Sequence, residues 1–232
     1  MRLLLDTANL DDIKYFTTYF PIEGVTTNPT ILSKEGGDVL KLLRDIRNII
    51  GGDKELHVQV VEKDYDKILL EAEALVNYLG WNTIIKIPAS DIGLKVTHTL
   101  AKRGYRVTVT AVLTAAQAML ASNAGATYVA PYVSRLENIC DDGIDCVSDI
   151  VKIFDGSKTS TQILAASFKT AKEVLDVAVV GCHNATVGSD VLRRLLSHST
   201  TDTSIAGFEK DWEAAFGKTT LLELIQETRA CH

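Results

Sequence analysis

The chain has 232 residues, 46% of them hydrophobic and 23% charged, with four prolines and a mean hydropathy of +0.10. Lys and Arg number 24 against 30 Asp and Glu, giving a formal charge of −6 and a pI near 5.4. A disordered chain, with few aliphatics and a strong charge imbalance, is excluded; the acidic balance also lacks the positive footprint that nucleic acid or an anionic membrane surface would require.

In chain order, short β-branched runs alternate with amphipathic ones. The pattern predicts a strand at 2–6 (RLLLD), a helix at 10–19, a strand at 22–26 (IEGVT) and a helix at 38–50. A strand at 55–61 (ELHVQVV), a helix at 65–79, a strand at 83–88 (TIIKIP) and a helix at 91–103 follow. Next come strands at 105–110 (YRVTVT), 127–132 (TYVAPY), 162–167 (QILAAS) and 177–183 (VAVVGCH), with helices at 114–124, 144–155 and 170–176 between them. Asp38, Asp91 and Thr114 stand where N-caps are expected. Eight strands spaced by about 25 residues, each followed by a helix, predict an α/β fold: a single (β/α)₈ TIM barrel. The prolines agree, because a residue without an N–H belongs at strand ends: Pro21 precedes the second strand, Pro29 follows it, Pro88 closes the fourth and Pro131 is late in the sixth. About 45 residues remain after the eighth strand, more than one barrel helix needs. They predict helices at 188–197, 203–216 and 219–229, a C-terminal extension of about 188–232 on a domain spanning 1–232. Such an extension seals a barrel end or reaches a neighbouring subunit.

The opening MRLLLDTANL is interrupted by Asp6 too early for a secretory h-region. No apolar run reaches the roughly 18 residues of a membrane helix. Cys140, Cys146, Cys182 and Cys231 lack CxxC spacing, so reduced thiols in a cytoplasmic protein are expected. No P-loop or dinucleotide fingerprint occurs, and neither HExxH nor a clustered Asp/His set suggests a metal.

Barrel enzymes place their chemistry at the C-terminal ends of the strands. The residues there are Asp6, Thr26 leading to Asn28, Gln59, Lys86, Thr110, Tyr132, Ser167 and His183-Asn184. Lys86 sits inside IIKIP, sharing a face with Ile84 and Pro88. An ammonium desolvated among aliphatics loses basicity, and the neutral amine attacks carbonyls to form a Schiff base; a lysine snorkelling to solvent at the strand end is the competing reading. Asp6 either caps the next turn or orients substrate hydroxyls. Gln59 points inward with His57 and Val61, and His57, a layer deeper, reads as a hydrogen-bonded core histidine. Tyr132 is either a packed aromatic or a proton shuttle, with Thr108 and Thr110 projecting inward nearby. Arg135 is either a surface ion-pair partner or an anion contact. Ser167, opening SFKT before a helix, offers a hydroxyl and free amides suited to phosphate.

GVTTNPT (24–30), IIKIP (84–88), VAPYVSR (129–135), LAASFKT (164–170) and FEKDWEAAFGKT (208–219) together resemble the small transaldolase family, and within it the fructose-6-phosphate aldolase branch. The resemblance covers nearly the whole chain. It implies a barrel enzyme needing no metal or cofactor, with Lys86 as the Schiff-base lysine. It further implies Asp6, Asn28, Gln59, Thr110 and Tyr132 as active-site residues, and Arg135 and Ser167 as phosphate contacts; Thr26 at the end of the second strand is expected, with Asn28, to bind substrate. Sugar phosphates and dihydroxyacetone are the implied ligands, and a homo-oligomer, a pentameric ring or a decamer of two rings, the implied assembly. Transaldolases typically carry Glu where Gln59 stands and Phe where Tyr132 stands; this chain has the aldolase pair. The alternatives are a transaldolase passing a dihydroxyacetone unit between sugar phosphates and a barrel that binds a sugar phosphate without turnover.

Overall fold

In a computed structural model, which describes residues 1–134 and 143–230, eight parallel strands close into a barrel in sequence order. They are β1 (Arg2–Asp6), β2 (Ile22–Thr26), β3 (Glu55–Gln59), β4 (Thr83–Pro88), β5 (Val107–Val112), β6 (Tyr128–Pro131), β7 (Gln162–Ala165) and β8 (Asn184–Val187). The crossover helices are α1 (Leu10–Tyr19), α2 (Pro29–Glu35), α3 (Val39–Ile50), α4 (Tyr65–Leu79), α5 (Asp91–Lys102), α6 (Ala115–Asn123), α7 (Gly143–Ser157) and α8 (Ala171–Val179). After β8 come α9 (Ser189–Leu196), α10 (Ser199–Phe216) and α11 (Leu221–Ala230). The chain forms two compact units, Met1–Leu192 and Arg193–His232. Within the second, the Trp212 indole N–H donates to the Thr219 carbonyl at 2.9 Å and its ring meets Phe216.

Strands of a parallel barrel are buried on both faces, which is why they read as continuous apolar runs. Ile85, Ile87, Val107, Val109, Val129 and Ile163 point outward into the layer shared with the helices. Leu4, Ile84, Tyr128 and Leu164 fill the barrel axis. Below them, Arg2 donates to Asn184 Oδ1 (2.8 Å) and to the Tyr128 hydroxyl (3.0 Å), which in turn donates to Glu55. Arg106 and His57 also meet Glu55, at 3.0 and 3.3 Å. This network plugs the N-terminal end, and polar groups at the other end face a cavity instead.

Several boundaries differ from the pattern. The expected eighth strand at 177–183 is helix as far as Val179, and β8 begins at Asn184. Thr170 and Glu173 form a reciprocal capping box that starts α8, whose buried face carries Val174 and Val177; the helix period overrides the β-branched VAVV run. The chain turns at Gly181 (φ +91°), where a Cβ would be strained. Strand three ends two residues early, strand five is shifted to 107–112, and Tyr132 makes an isolated bridge to Ala166 beyond β6. The pattern missed α2, although Asn28 as cap with Pro29 at the first helical position is a start signal. Asp38 and Thr114 cap their helices as expected, but Ser90, not Asp91, caps α5. Helix α10 starts four residues before its expected position.

Helix α5 approaches the end of β4 so closely that a Cβ on Gly93 would lie 2.1 Å from the Pro88 carbonyl oxygen. Helix propensity favours Gly93→Ala by about 1 kcal/mol, whereas overpacking at a backbone contact costs about 1–3 kcal/mol. The contact is expected to win: urea denaturation should show Gly93→Ala destabilised, and a gain in stability would show that α5 moves aside without penalty.

Candidate active site

At the C-terminal ends of the strands lies a cavity of about 410 Å³, lined by Asp6, Asn28, Gln59, Lys86, Tyr132 and Ser167 together with Pro29, Thr30, Ile31 and Ala166. Strand register brings these groups together: Gln59 pairs with Lys86 across β3 and β4, and Asp6 with Thr26 across β1 and β2.

Lys86 is only 5% exposed, so it does not snorkel to bulk water. Its Nζ donates to the Thr27 carbonyl at 2.7 Å. Thr27 is itself pinned, its N–H and its hydroxyl both donating to the His57 carbonyl (2.9 and 3.0 Å). Burial pushes the Lys86 ammonium below the ordinary lysine range, and the charge of Asp6 pulls it partly back. Asp6 is the mirror case: burial raises its carboxyl, while Lys86 and the Thr26 hydroxyl hold it down. Thr26 donates to Asp6 Oδ1 at 2.6 Å, and the helix that follows, α1, is capped by Asn9 and not by Asp6.

The Tyr132 hydroxyl lies 3.2 Å from Thr110 Oγ1. A shift of register between Val109 and Val112, with Ala111 at φ +56°, ends the regular β5–β6 ladder just at Thr110. Asn28 accepts from the Ile31 N–H at 2.9 Å, so its Oδ1 is committed to capping α2 and the amide NH₂ is the group left to face the cavity.

Of the nine site residues named with the family resemblance, six line the cavity and two stand behind it. Thr26, expected to touch substrate, is fully buried and holds Asp6; Thr110 holds Tyr132. Arg135 lies outside the described residues. Ser167 reaches the cavity with φ +65°, but it does not open a helix N-terminus. Thr170 caps α8, and Glu173 accepts from the Lys169 and Thr170 N–H groups (2.7 and 3.1 Å), so those amides are not free for an anion. His57 bridges Thr108 and Glu55 in the core, and burial lowers its basicity. His183 immediately precedes β8 and Asn184 is its first residue, so both lie at the opposite, N-terminal end of the barrel. The sequence pattern passed over Thr27, Thr186 and Ile31, because strand eight was misplaced and α2 went unseen. The TTNP run is the one signal that could have exposed Thr27.

A closed parallel barrel with a buried lysine and carboxylate at its catalytic end defines the class: a (β/α)₈ enzyme with an amine and an acid in one cavity. Comparison with known proteins narrows it. Residues 3–228 match the family model described as Transaldolase/Fructose-6-phosphate aldolase, and the chain belongs to that family. A "Probable transaldolase" of Thermoanaerobacter sp. (strain X514) is 40% identical over 215 residues, 93% of this chain and 98% of that protein. Another of the same name, from Methanococcus maripaludis (strain DSM 14266), is 38% identical over 92% of this chain and 98% of its own length. A solved structure described as "Native KDPGal structure" shares the fold, with TM-score 0.57 at 16% identity over 85% of this chain and 84% of that one. Among the described residues no helix is long and apolar enough to cross a membrane.

The Asn28 cap yields a separable test. Asn28→Ala should cost about 1 kcal/mol of stability through loss of the cap, whereas Asn28→Asp, an equally good cap, should cost a few tenths of that order. Equal losses in thermal denaturation would show that the cap does not hold α2.

Proposed function

We propose that the protein is a class I aldolase that cleaves fructose 6-phosphate to dihydroxyacetone and glyceraldehyde 3-phosphate, and forms it in reverse. The observation that carries this reading is Lys86, an amine buried in the cavity wall beside Asp6 and Gln59 in a chain of this family. The neutral amine adds to the C2 ketone and water leaves, giving a protonated imine. The imine draws electrons as the C3–C4 bond breaks and the C4 hydroxyl loses its proton, releasing glyceraldehyde 3-phosphate. The remaining enamine takes a proton at C3, and water hydrolyses the imine to dihydroxyacetone and free Lys86.

Tyr132, with Thr110 at its hydroxyl, is the proposed proton shuttle, aided by a water held by Gln59 and Thr110. Asp6 orients substrate hydroxyls, the Asn28 amide donates to them, and Ser167 with Arg135 takes the phosphate. Phosphorylated sugars are retained inside cells by their charge, which supports action in the cytoplasm. Exposed Phe208, Phe216, Leu221 and Leu222 in the second unit support a homo-oligomer, which light scattering would size. The second reading is transaldolase, favoured by the names of the relatives; there the enamine attacks an acceptor aldose phosphate instead of being protonated.

Borohydride with dihydroxyacetone should add a reduced adduct to the Lys86 peptide. Trapping should rise with pH through a midpoint below the ordinary lysine value of 10.5, because burial favours the free amine. Lys86→Met should lose both adduct and turnover while remaining folded. An adduct on another lysine sinks the assignment. Fructose 6-phosphate cleavage without added erythrose 4-phosphate supports the aldolase; a strict requirement for that acceptor supports the transaldolase.

Tyr132→Phe alone should lower cleavage by at least about 10²-fold, the usual size of a lost acid–base group. Adding Gln59→Glu supplies a carboxylate beside Lys86 and should raise transfer to erythrose 4-phosphate relative to cleavage. Full cleavage by Tyr132→Phe would reduce Tyr132 to a packing residue.

A further inference from the structure

Thr186 on β8 is a buried polar side chain to which nothing above gives a part. It is 3% exposed, and its Oγ1 lies 2.6 Å from Oγ1 of Thr26, which lies 2.6 Å from Asp6 Oδ1. The three side chains cross the seam where the barrel closes, from β8 through β2 to the end of β1. Proton counting fixes the direction of this line. A carboxylate only accepts, and each threonine hydroxyl owns one proton. With Asp6 ionised, the Thr26 proton is committed to Asp6, so the contact between the two threonines must use the proton of Thr186. Every donor then points toward the carboxylate. A proton taken up on Asp6 Oδ1 would have to be donated to Thr26 and would turn both hydroxyls the other way, and one taken up on Oδ2 would leave Thr26 donating to a neutral, weaker acceptor; either way the line as built favours the carboxylate.

We propose that Thr186 is a positioning residue of the site: it holds the Thr26 proton on Asp6 and so keeps Asp6 a carboxylate opposite Lys86. Both contacts are at the short end for hydroxyl donors, and successive donors in a low-dielectric interior strengthen one another. Among the described residues, the charged group facing Asp6 is Lys86 on β4. His57 on β3 lies a layer below and is neutral near pH 7 through burial. Arg2, Glu55 and Arg106 lie at the opposite end of the barrel in their own network, and Asp190 at the start of α9 is exposed. Hydroxyls, not cations, are therefore what β2 and β8 offer this carboxylate. The geometry is independent of the reaction; its catalytic consequence rests on the Schiff-base reading.

The test follows Asp6 directly by carbon-detected NMR of its carboxyl across pH, in wild type, Thr186→Ser and Thr186→Val. Thr186→Ser, which keeps the donor, should titrate like wild type. Thr186→Val, of equal size and without a donor, should shift the Asp6 midpoint upward by about half a unit to one unit, roughly a threefold to tenfold change in the ionisation constant. The acid limb of borohydride trapping at Lys86 should move by the same amount. If Thr186→Val does not fold, Thr186→Cys, a weak donor, should give a shift in the same direction and smaller. An unmoved Asp6 midpoint in the folded variant overturns the proposal, whatever the trapping shows. A wild type that titrates as expected but forms no reducible adduct overturns the Schiff-base reading and leaves the role of Thr186 in fixing the Asp6 charge standing.

Discussion

The structure turns on the burial of one amine, that of Lys86, among aliphatic strands with Asp6 across the same cavity. Taking an ammonium and a carboxylate out of water costs several kcal/mol each unless partners replace the solvent. The partners here are specific: the Thr27 carbonyl for Lys86, and the Thr26 hydroxyl for Asp6. Burial alone drives both groups toward neutrality; each charge opposes that drift in the other. The balance keeps an amine of lowered basicity and an acid of raised pKa together in one cavity.

That balance depends on an insulating layer. Leu4, Ile84 and Leu164 separate the cavity from the Arg2–Glu55–Arg106 network that plugs the other end of the barrel. His57 joins the layers. If Glu55 only accepts, the His57 Nε2 carries the proton, and Nδ1 accepts from Thr108. Its carbonyl meanwhile takes both donors of Thr27, and Thr27 holds Lys86. A core histidine thus acts on the lysine through its backbone, with its ring committed elsewhere.

The loops show the same economy of committed groups. Asn28 spends its oxygen on capping α2 and turns its amide toward the cavity; Glu173 spends its carboxylate on Ser134 and on two backbone amides ahead of α8. Each commitment removes one possible ligand contact and fixes another. Ser167 reaches the cavity from a left-handed backbone position just before that capping box, so its direction is set by the turn and not by a helix end.

Most of the barrel was legible because strands buried on two faces must be apolar throughout, and amphipathic helices between them must repeat every three to four residues. Lys86 stood out for the same reason, as a charge inside such a run. Where a residue's local pattern suited two states, tertiary packing decided. Val177 to Val179 became the last turn of α8, with Val177 buried, because Thr170 and Glu173 had already started a helix, and NATV became a strand because Asn184 hydrogen-bonds Arg2 across the closing seam and Gln162 on β7. The sequence by itself determined the alternation of elements and the chemical character of each strand end. Only the tertiary structure decided that Thr26 serves Asp6 instead of facing the cavity, that Glu173 occupies the amides before α8, and that Thr186 joins the site from 160 residues away, because hydrogen-bond partners that distant in the chain leave no trace in local pattern.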